Sequence, residues 1–404
     1  MTEIACQLNP QYDRQIASGE KPLAAITSLM DKAAVAQVSR FHHSISSLLP
    51  SPLIELKQLA HSLNLTRLWV KDESRRNELK AFKMLGASYA IGRYLHQLLQ
   101  LPENALDFHA IRARQNEFQS VTFATATDGN HGRAVAWCAH QFGCQSQVFM
   151  PAGSSQNRLS AIQRYASHAE ITDFNYDDTV SRVAQLAQQN GWVLIQDTAW
   201  PGYQDIPRDI MRGYFTLLVE FEQQAARGWP SHIFLQTGVG SMAAALAAYL
   251  VAHPNPTPQI ILVEPERAPC FYQSMAINDG RPHRYSETMD TIMAGLACGE
   301  PSTLAWAILS RVASACVICA DRVSLEGMQQ YAKPTGTDPR IVSGESGAVT
   351  LGLLMAIMRQ DDYAEIGQQL GLDASARVLL LSTEGDTDPQ IYQALLAGGA
   401  YGGS

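Results

Sequence analysis

The sequence predicts an α/β protein whose sheets are mainly parallel. Short apolar runs alternate with longer amphipathic stretches along most of the 404 residues, which is the pattern of repeated strand–helix–strand units. Polar or glycine-containing turns follow several of the apolar runs. A chain of this length usually exceeds what one hydrophobic core serves, so two domains are expected.

The predicted strands are short apolar runs, and the predicted helices are longer stretches with a helical apolar period. Strands are predicted at residues 68–71, 121–126, 147–150, 169–173, 192–197, 232–237, 259–263, 315–320 and 377–382. Helices are predicted at residues 81–98, 132–142, 155–165, 179–189, 208–227, 240–251, 346–359 and 389–396. The first forty or so residues are polar with weak periodicity and are expected to form a cap or lid. Because parallel sheets bind ligands beyond the carboxyl ends of their strands, the turns after the strands are the expected place for chemistry.

The composition argues against several classes of protein. Apolar residues make up 46% of the chain and charged residues 17%, with a formal net charge of −8. Without a general basic field, nucleic acid is not an expected partner. No apolar run approaches the roughly 18 residues that a membrane span needs, so no membrane association is expected. The N-terminus lacks a basic segment followed by an apolar one, and a cytoplasmic location is expected.

The seven cysteines form an odd and widely spaced set, which suits a reducing compartment better than a disulfide framework. Cys316 and Cys319 flank Val-Ile in an apolar run, which indicates core packing. Cys270 and Cys298 lie in polar, turn-like surroundings and could approach each other. The histidines are mostly scattered, and no metal site is predicted.

The first informative turn contains Lys83, which opens a predicted helix beside Phe82. Desolvation by an aromatic neighbour and the positive end of a helix both lower the pKa of an amine. Both effects therefore favour the neutral nucleophile that forms a Schiff base. The alternative is an ordinary solvated lysine.

The second turn, at residues 124–133, reads Ala-Thr-Ala-Thr-Asp-Gly-Asn-His-Gly-Arg. Helix capping by Asp128 or Asn130 explains one polar residue but not the whole run, so capping and ligand binding remain equal alternatives. His131 in such a loop more often packs and hydrogen-bonds locally than transfers protons.

The third turn joins an apolar strand to an alanine-rich helix through Gly238, Val239, Gly240 and Ser241. Such a turn directs backbone N–H groups and a helix N-terminus at a phosphate. It is not GxGxxG, so a nicotinamide-dinucleotide dehydrogenase is poorly supported. Tight-turn packing without a ligand is the alternative.

The fourth turn follows the last predicted strand and contains Ser382 and Thr383. Their hydroxyl groups could donate a hydrogen bond to a ligand nitrogen or cap the following helix. Neither interpretation prevails from this stretch alone.

These four turns, in this order, resemble those of the fold-type II pyridoxal-phosphate enzymes, which include threonine dehydratase, the serine dehydratases and cysteine synthase. Ser-Pro-Leu-Ile-Glu-Leu at residues 51–56 resembles a further segment of that superfamily. Residues 71–74 with 81–83, residues 127–133 and residues 196–203 resemble more narrowly the diaminopropionate ammonia-lyases. The resemblance runs from about residue 40 to the end.

The resemblance implies a set of cofactor contacts. Lys83 would hold pyridoxal phosphate covalently, with Phe82 beside it. Asn130 would hydrogen-bond the phenolic oxygen of the ring, and the glycine turn would cradle the phosphate. Ser382 or Thr383 would face the pyridine nitrogen, and both remain open.

The resemblance also implies elimination from a small amino acid, D- or L-2,3-diaminopropionate, to give pyruvate and two ammonia molecules. Lys83 and Asp128 would be bases on opposite faces of the substrate. Asp128 and Asp197 would hold its β-ammonium group, and Tyr203 would line the pocket. The alternatives are a threonine/serine dehydratase-like or other β-eliminating or β-replacing enzyme, and a catalytically silent ligand-binding protein.

One passage departs from the family pattern. Residues 77–80 read Asn-Glu-Leu-Lys where the family usually shows Phe-Gly-Leu-Asn. Lys80 then stands three residues before Lys83, where it could alter substrate preference or act as a rival nucleophile.

The implied architecture is a large domain formed by residues 1–90 and 226–404, and a small domain formed by residues 91–225. The cofactor would lie in the cleft between them. The resemblance further implies a homodimer.

Overall fold

The computed structural model describes residues 3–30, 32–226 and 228–398. Its strands are β1 (Ile4–Leu8), β2 (Leu53–Glu55), β3 (Arg67–Asp72), β4 (Thr122–Ala126), β5 (Gln145–Met150), β6 (His168–Ile171), β7 (Val193–Leu194), β8 (His232–Gln236), β9 (Gln259–Pro265), β10 (Ala315–Cys319) and β11 (Arg377–Ser382).

The α-helices of the described residues are α1 (Arg14–Ala17), α2 (Ala24–Leu29), α3 (Lys32–His43), α4 (Lys57–Ser62), α5 (Lys83–Leu98), α6 (Phe108–Arg112), α7 (Asn130–Phe142), α8 (Gln156–Gln163), α9 (Tyr176–Asn190), α10 (Asp205–Gly213), α11 (Thr216–Gln224), α12 (Ser241–Ala252), α13 (Cys270–Ile277), α14 (Thr303–Val312), α15 (Asp321–Ala332), α16 (Glu345–Arg359), α17 (Ala364–Gln369) and α18 (Pro389–Leu396).

Two sheets organise the described part of the chain. The larger has the order β1-β10-β9-β8-β11-β3-β2, and it is parallel except at its edges, where β1 and β2 run antiparallel to their neighbours. The smaller has the order β6-β5-β4-β7 and is parallel throughout. The predicted α/β class with mainly parallel sheets is therefore confirmed.

The central strands of the larger sheet are buried on both faces, as is typical of parallel sheets covered by helices. Strand β11 illustrates the period of two. Leu379 and Leu381 belong to one hydrophobic cluster, whereas Val378 and Leu380 belong to another on the opposite face. Cys316 and Cys319 on β10 are fully buried, which confirms their predicted core packing.

The N-terminal segment is not the predicted cap or lid. Strand β1 pairs along β10, with Ile4 opposite Cys319, and so forms an edge of the larger sheet. Helix α3 packs closely on α5, because a Cβ on Gly92 would lie 2.4 Å from the ring of Phe41. The sequence did not predict this pairing, because β1 is a mostly apolar run of only five residues that buries just part of its surface.

Two predicted elements are shorter than expected. The predicted strand 192–197 pairs only at Val193–Leu194, because the Gln196 side chain accepts from the backbone N of Ala126 at 3.0 Å and donates to its O at 3.2 Å. The predicted helix 208–227 is divided between α10 and α11, and its last residue, Arg227, lies outside the described residues.

The predicted domain boundaries stay a prediction. The four-stranded sheet lies within residues 91–225, but α5 continues across residue 90 without interruption. Within the described residues, no helix has the length and apolar character needed to cross a membrane.

Candidate active site

Strands of both sheets end at one cavity. The turn after β3 leads to Lys83, the turns after β4 and β7 carry Asp128 and Asp197, and the glycine turn follows β8. The predicted site residues that line this cavity are Phe82, Lys83, Asp128, Asn130, Asp197, Gly238, Val239, Gly240, Ser241 and Thr383. The rule that parallel sheets bind ligands beyond their carboxyl ends thus locates the cavity correctly.

An ion pair between Lys83 and Asp197 occupies the middle of the cavity. Lys83 Nζ contacts Asp197 Oδ2, and their side chains are 20% and 4% exposed. Burial alone would lower the pKa of the Lys83 amine and raise that of the Asp197 carboxyl. The opposite charges outweigh burial, so the pKa of Lys83 is raised and that of Asp197 is lowered to about 2. The prediction of a lowered lysine pKa is therefore wrong, because the sequence does not reveal the carboxylate partner.

Asp128 lies at the rim of the same cavity and also lines the cleft that opens from it. Burial raises the pKa of its carboxyl, and the positive charges of Arg158 and Lys83 offset only part of that effect. The two aspartates therefore differ. The Asp197 carboxyl is held charged by its pairing with Lys83, whereas the Asp128 carboxyl takes up a proton at a higher pH.

Asn130 begins helix α7, and its Nδ2 donates to Oε2 of Glu384, which follows β11. Glu384 also accepts from the backbone N of Ser346 at 3.1 Å. Burial and the nearby charge of Glu345 raise the pKa of Glu384 to about 7. This carboxyl fixes the orientation of the Asn130 amide at the cavity wall.

The glycine turn has the geometry of a phosphate cradle. Gly240 has φ +89°, and a Cβ on it would lie 2.5 Å from the ring of Phe271. Helix α12 begins at Ser241, so its first free N–H groups lie at the cavity. The Ser241 hydroxyl donates to the backbone O of Asp197 at 2.5 Å, which ties the turn to the ion pair.

The two C-terminal hydroxyl groups differ in position. Ser382 Oγ donates to Ser343 Oγ at 2.8 Å and does not line the cavity. Thr383 lines the cavity, and its Oγ1 accepts from Gln236 Nε2 at 3.2 Å. Its own hydroxyl proton is therefore left to donate elsewhere.

Tyr203 lies outside the cavity lining. Its hydroxyl accepts from the backbone N of Gln196 at 2.9 Å and donates to the O of Leu194 at 2.8 Å, and its ring stacks on Trp200. Tyr176, the first residue of α9, lines the cavity instead. A substrate contact by Tyr203 stays a prediction.

Lys80 does not reach the cavity either. Its ammonium pairs with Asp386 at 2.7 Å, and its side chain is 45% exposed. The segment that departs from the family pattern is locally unusual, since Asn77 and Lys80 both have left-handed backbone, with φ of 39° and 53°. Because the Lys80 ammonium lies outside the cavity, Lys83 is favoured over Lys80 as the reactive amine.

Cys270 and Cys298 are free thiols beside the glycine turn. Cys270 Sγ lies 3.7 Å from the O of Gly238 and 3.4 Å from Oε1 of Glu264. A Cβ on Gly238 would lie 3.0 Å from Cys298 Sγ. Both cysteines thus pack against the turn that faces the cavity.

The sequence did not predict every residue that lines the cavity. Six further polar residues line it: Thr127, His131, Tyr176, Gln236, Ser346 and Glu384. Glu384 directly follows Thr383, so the adjacent carboxyl was a usable signal. Tyr176 and Ser346 lie at helix starts whose side-chain direction the sequence does not reveal.

These features define a class of enzyme. An amine in a cavity, a glycine turn at a helix N-terminus, an amide and a free hydroxyl fit the aldehyde, phosphate, phenolic oxygen and ring nitrogen of pyridoxal phosphate. The family described as pyridoxal-phosphate dependent enzyme matches residues 46–372, and the chain belongs to it. Its cofactor is pyridoxal phosphate.

Two relatives, one of them in two solved structures, are similar to this chain over nearly its whole length. Diaminopropionate ammonia-lyase of Salmonella typhimurium is 45% identical over 382 residues, which cover 93% of this chain and 95% of the relative. The Escherichia coli diaminopropionate ammonia-lyase structure with an aminoacrylate–pyridoxal-phosphate azomethine intermediate is 41% identical, with a TM-score of 0.87 over 99% of this chain and 98% of that one. The structure of the same enzyme with D-serine is 39% identical, with a TM-score of 0.89 over the same shares. The predicted enzyme class, a pyridoxal-phosphate-dependent ammonia-lyase, is confirmed.

Proposed function

We propose that this protein eliminates ammonia from 2,3-diaminopropionate, in its D and L forms, to give pyruvate and two ammonia molecules after hydrolysis. The observation that carries the proposal is the Asp197 carboxylate, which stays charged in the cavity beside Lys83. A β-hydroxyl substrate needs no buried anion, whereas a β-ammonium substrate does.

Lys83 and Asp128 are the proposed bases. Pyridoxal phosphate, when bound, supplies an electron sink for the α-carbon of the amino acid joined to it. The Lys83 ε-amine, released when the substrate α-amine takes its place, removes the α-proton of the L isomer. The Asp128 carboxylate removes that proton from the D isomer on the opposite face. The raised pKa of Asp128 suits a group that must accept a proton.

Asp197 holds the β-amine in its protonated form. The carbon–nitrogen bond then breaks with its electron pair on nitrogen, and neutral ammonia leaves. Asp197 is only 3% exposed, and this burial strengthens the attraction between its carboxylate and the β-ammonium group.

The remaining proposed roles concern cofactor binding. The amide of Asn130 faces the phenolic oxygen, and the turn at residues 238–241 holds the phosphate. Thr383 is the proposed donor to the ring nitrogen. Its Oγ1 accepts a hydrogen bond from Gln236, so its own proton is free to donate, whereas Ser382 Oγ already donates to Ser343. The backbone N–H of Phe82 donates a hydrogen bond to the backbone O of Thr383 at 3.2 Å, and Phe82 thereby positions the adjacent Lys83.

The decisive experiment measures products from the purified, cofactor-loaded protein. With D- and L-diaminopropionate we expect two ammonia molecules per pyruvate, at a kcat/KM well above that for serine or threonine. A preference for serine or threonine would instead establish the dehydratase alternative. No turnover of any of these substrates would support the silent binding protein.

Three further proposals concern the assembly, location and domain organisation of the enzyme. We propose a homodimer, on the family resemblance, and light scattering should give about twice the mass of one chain. We propose a cytoplasmic location because seven free thiols suit a reducing compartment. Residues 91–225 are proposed as the small domain beside the cleft.

A further inference from the structure

His131 is buried next to the Lys83–Asp197 pair with one ring nitrogen anchored. Its side chain is 2% exposed, and Nε2 lies 2.7 Å from the backbone O of Ile195. A carbonyl oxygen only accepts hydrogen bonds, so Nε2 must carry the proton. Burial lowers the pKa of the imidazole, and the ring is neutral. Nδ1 therefore presents a lone pair.

The Nδ1 atom has no hydrogen-bond partner among the described residues. It lies 3.9 Å from Asp197 Oδ2, which pairs with the Lys83 ammonium, whereas Nδ1 does not. A buried acceptor left without a partner is costly. A donor with several N–H groups that enters between the imidazole and the carboxylate would satisfy both acceptors at once.

The Lys83 ammonium shows what kind of group fits. Its Nζ contacts the Asp197 oxygen that faces His131. This alkylammonium is a chemical stand-in for the β-ammonium of the substrate. When Lys83 is joined to the cofactor, Asp197 and His131 lose that cation and can receive another.

We infer that His131 Nδ1 and the Asp197 carboxylate together form the subsite for the substrate β-ammonium, and that His131 selects amino over hydroxyl substrates. This inference rests on the proposed function. An ammonium group has three N–H bonds and can donate to both acceptors at once. A β-hydroxyl has one O–H and leaves one acceptor unpaired, which disfavours serine.

His131 acts here by binding and takes no part in proton transfer. The leaving nitrogen keeps its three protons and gains the electron pair of the broken bond. Neutral ammonia departs, and His131 returns to its unpaired state without changing protonation.

Two substitutions at this position separate the subsite from a structural role. In His131→Gln, Nε2 can still donate to the Ile195 carbonyl, but the amide oxygen is bonded one atom farther along the side chain than Nδ1 and does not replace it. In His131→Asn, Oδ1 replaces the Nδ1 acceptor, but the Ile195 hydrogen bond is lost. Thermal unfolding of each cofactor-loaded variant shows how far folding is affected.

For diaminopropionate, we expect kcat/KM to fall about 10- to 100-fold in His131→Gln, the usual effect of losing a hydrogen bond to a charged group. In His131→Asn the fall should be smaller than in His131→Gln, because an acceptor remains at the Nδ1 position. The affinity for D-serine, measured by spectroscopic titration, should be nearly the same in wild type and His131→Gln. If the asparagine variant loses more activity than the glutamine variant, or if glutamine weakens both ligands equally, the role of His131 is structural and the inference fails. A wild-type protein inactive on diaminopropionate would overturn the proposed function itself.

Discussion

The two sides of the cavity are built from different chemistry. The side from the seven-stranded sheet offers an amine, backbone amides and hydroxyl groups, through Lys83, the turn at residues 238–241 and Thr383. The side from the four-stranded sheet offers the carboxylates Asp128 and Asp197 with His131. The first set suits a phosphorylated aromatic aldehyde, and the second suits a cationic amino acid. In the proposed function, the side from the larger sheet therefore supplies most of the cofactor contacts, with Asn130 from the other side, and the side from the smaller sheet selects the substrate.

The two sides are joined at two points. Ser241 donates to the backbone of Asp197, and Asn130 donates to Glu384. Each hydrogen bond joins a residue of one side to a residue of the other. Cofactor binding should therefore order the substrate side, although the two functions can be altered separately.

The largest expected effect follows from Lys83→Ala, which removes the amine of the cofactor side. We expect kcat/KM for L-diaminopropionate to fall by roughly a thousandfold or more, since both the base and the covalent anchor are lost. The Schiff-base absorbance should also disappear. If Lys80→Ala produced this result instead, the assignment of the reactive amine would be wrong.

The next effect concerns the substrate side alone. Asp128→Asn should lower kcat/KM for the D isomer about 100-fold and change the L isomer little, because asparagine cannot accept the α-proton. Since burial raises the pKa of the Asp128 carboxyl, D turnover in the wild type should be lost on acidification at a higher pH than for an ordinary aspartate base. Equal losses for both isomers would refute the two-base arrangement.

A smaller effect is expected from Gly240→Ala on the cofactor side. The left-handed φ and the contact with Phe271 should distort the turn and weaken pyridoxal phosphate binding by about tenfold, measured by equilibrium dialysis. Gly191→Ala is the matched control, because Gly191 also has positive φ but its Cβ would meet nothing within 4 Å. If both variants lost affinity equally, the turn would not be the cradle.

The smallest effect should come from Lys80→Asn. Its ion pair with Asp386 is partly exposed, and such pairs contribute about 0–1 kcal/mol to stability. We expect activity within about twofold of the wild type and a similar midpoint of denaturant unfolding. A change in the ratio of diaminopropionate to serine turnover would show that this departure from the family pattern does set specificity.

The sequence by itself determined the order of the elements and the turns that carry the site. The sequence shows apolar runs long enough for buried strands, each followed by glycine and polar residues. This pattern located Lys83, Asp128 and Gly240, because parallel sheets bind ligands beyond the carboxyl ends of their strands. Edge strand β1 was not predicted, since it is a mostly apolar run of only five residues in a segment of weak periodicity.

Only the tertiary structure decided which groups meet and how they titrate. Lys83 and Asp197 are 114 residues apart, and their contact reverses the lysine pKa shift predicted from local surroundings. Thr383 faces the cavity and Ser382 does not, because successive side chains along an extended segment point in opposite directions. Contacts between distant residues depend on how the two sheets pack together. A sequence read locally contains the groups but not the distances between them.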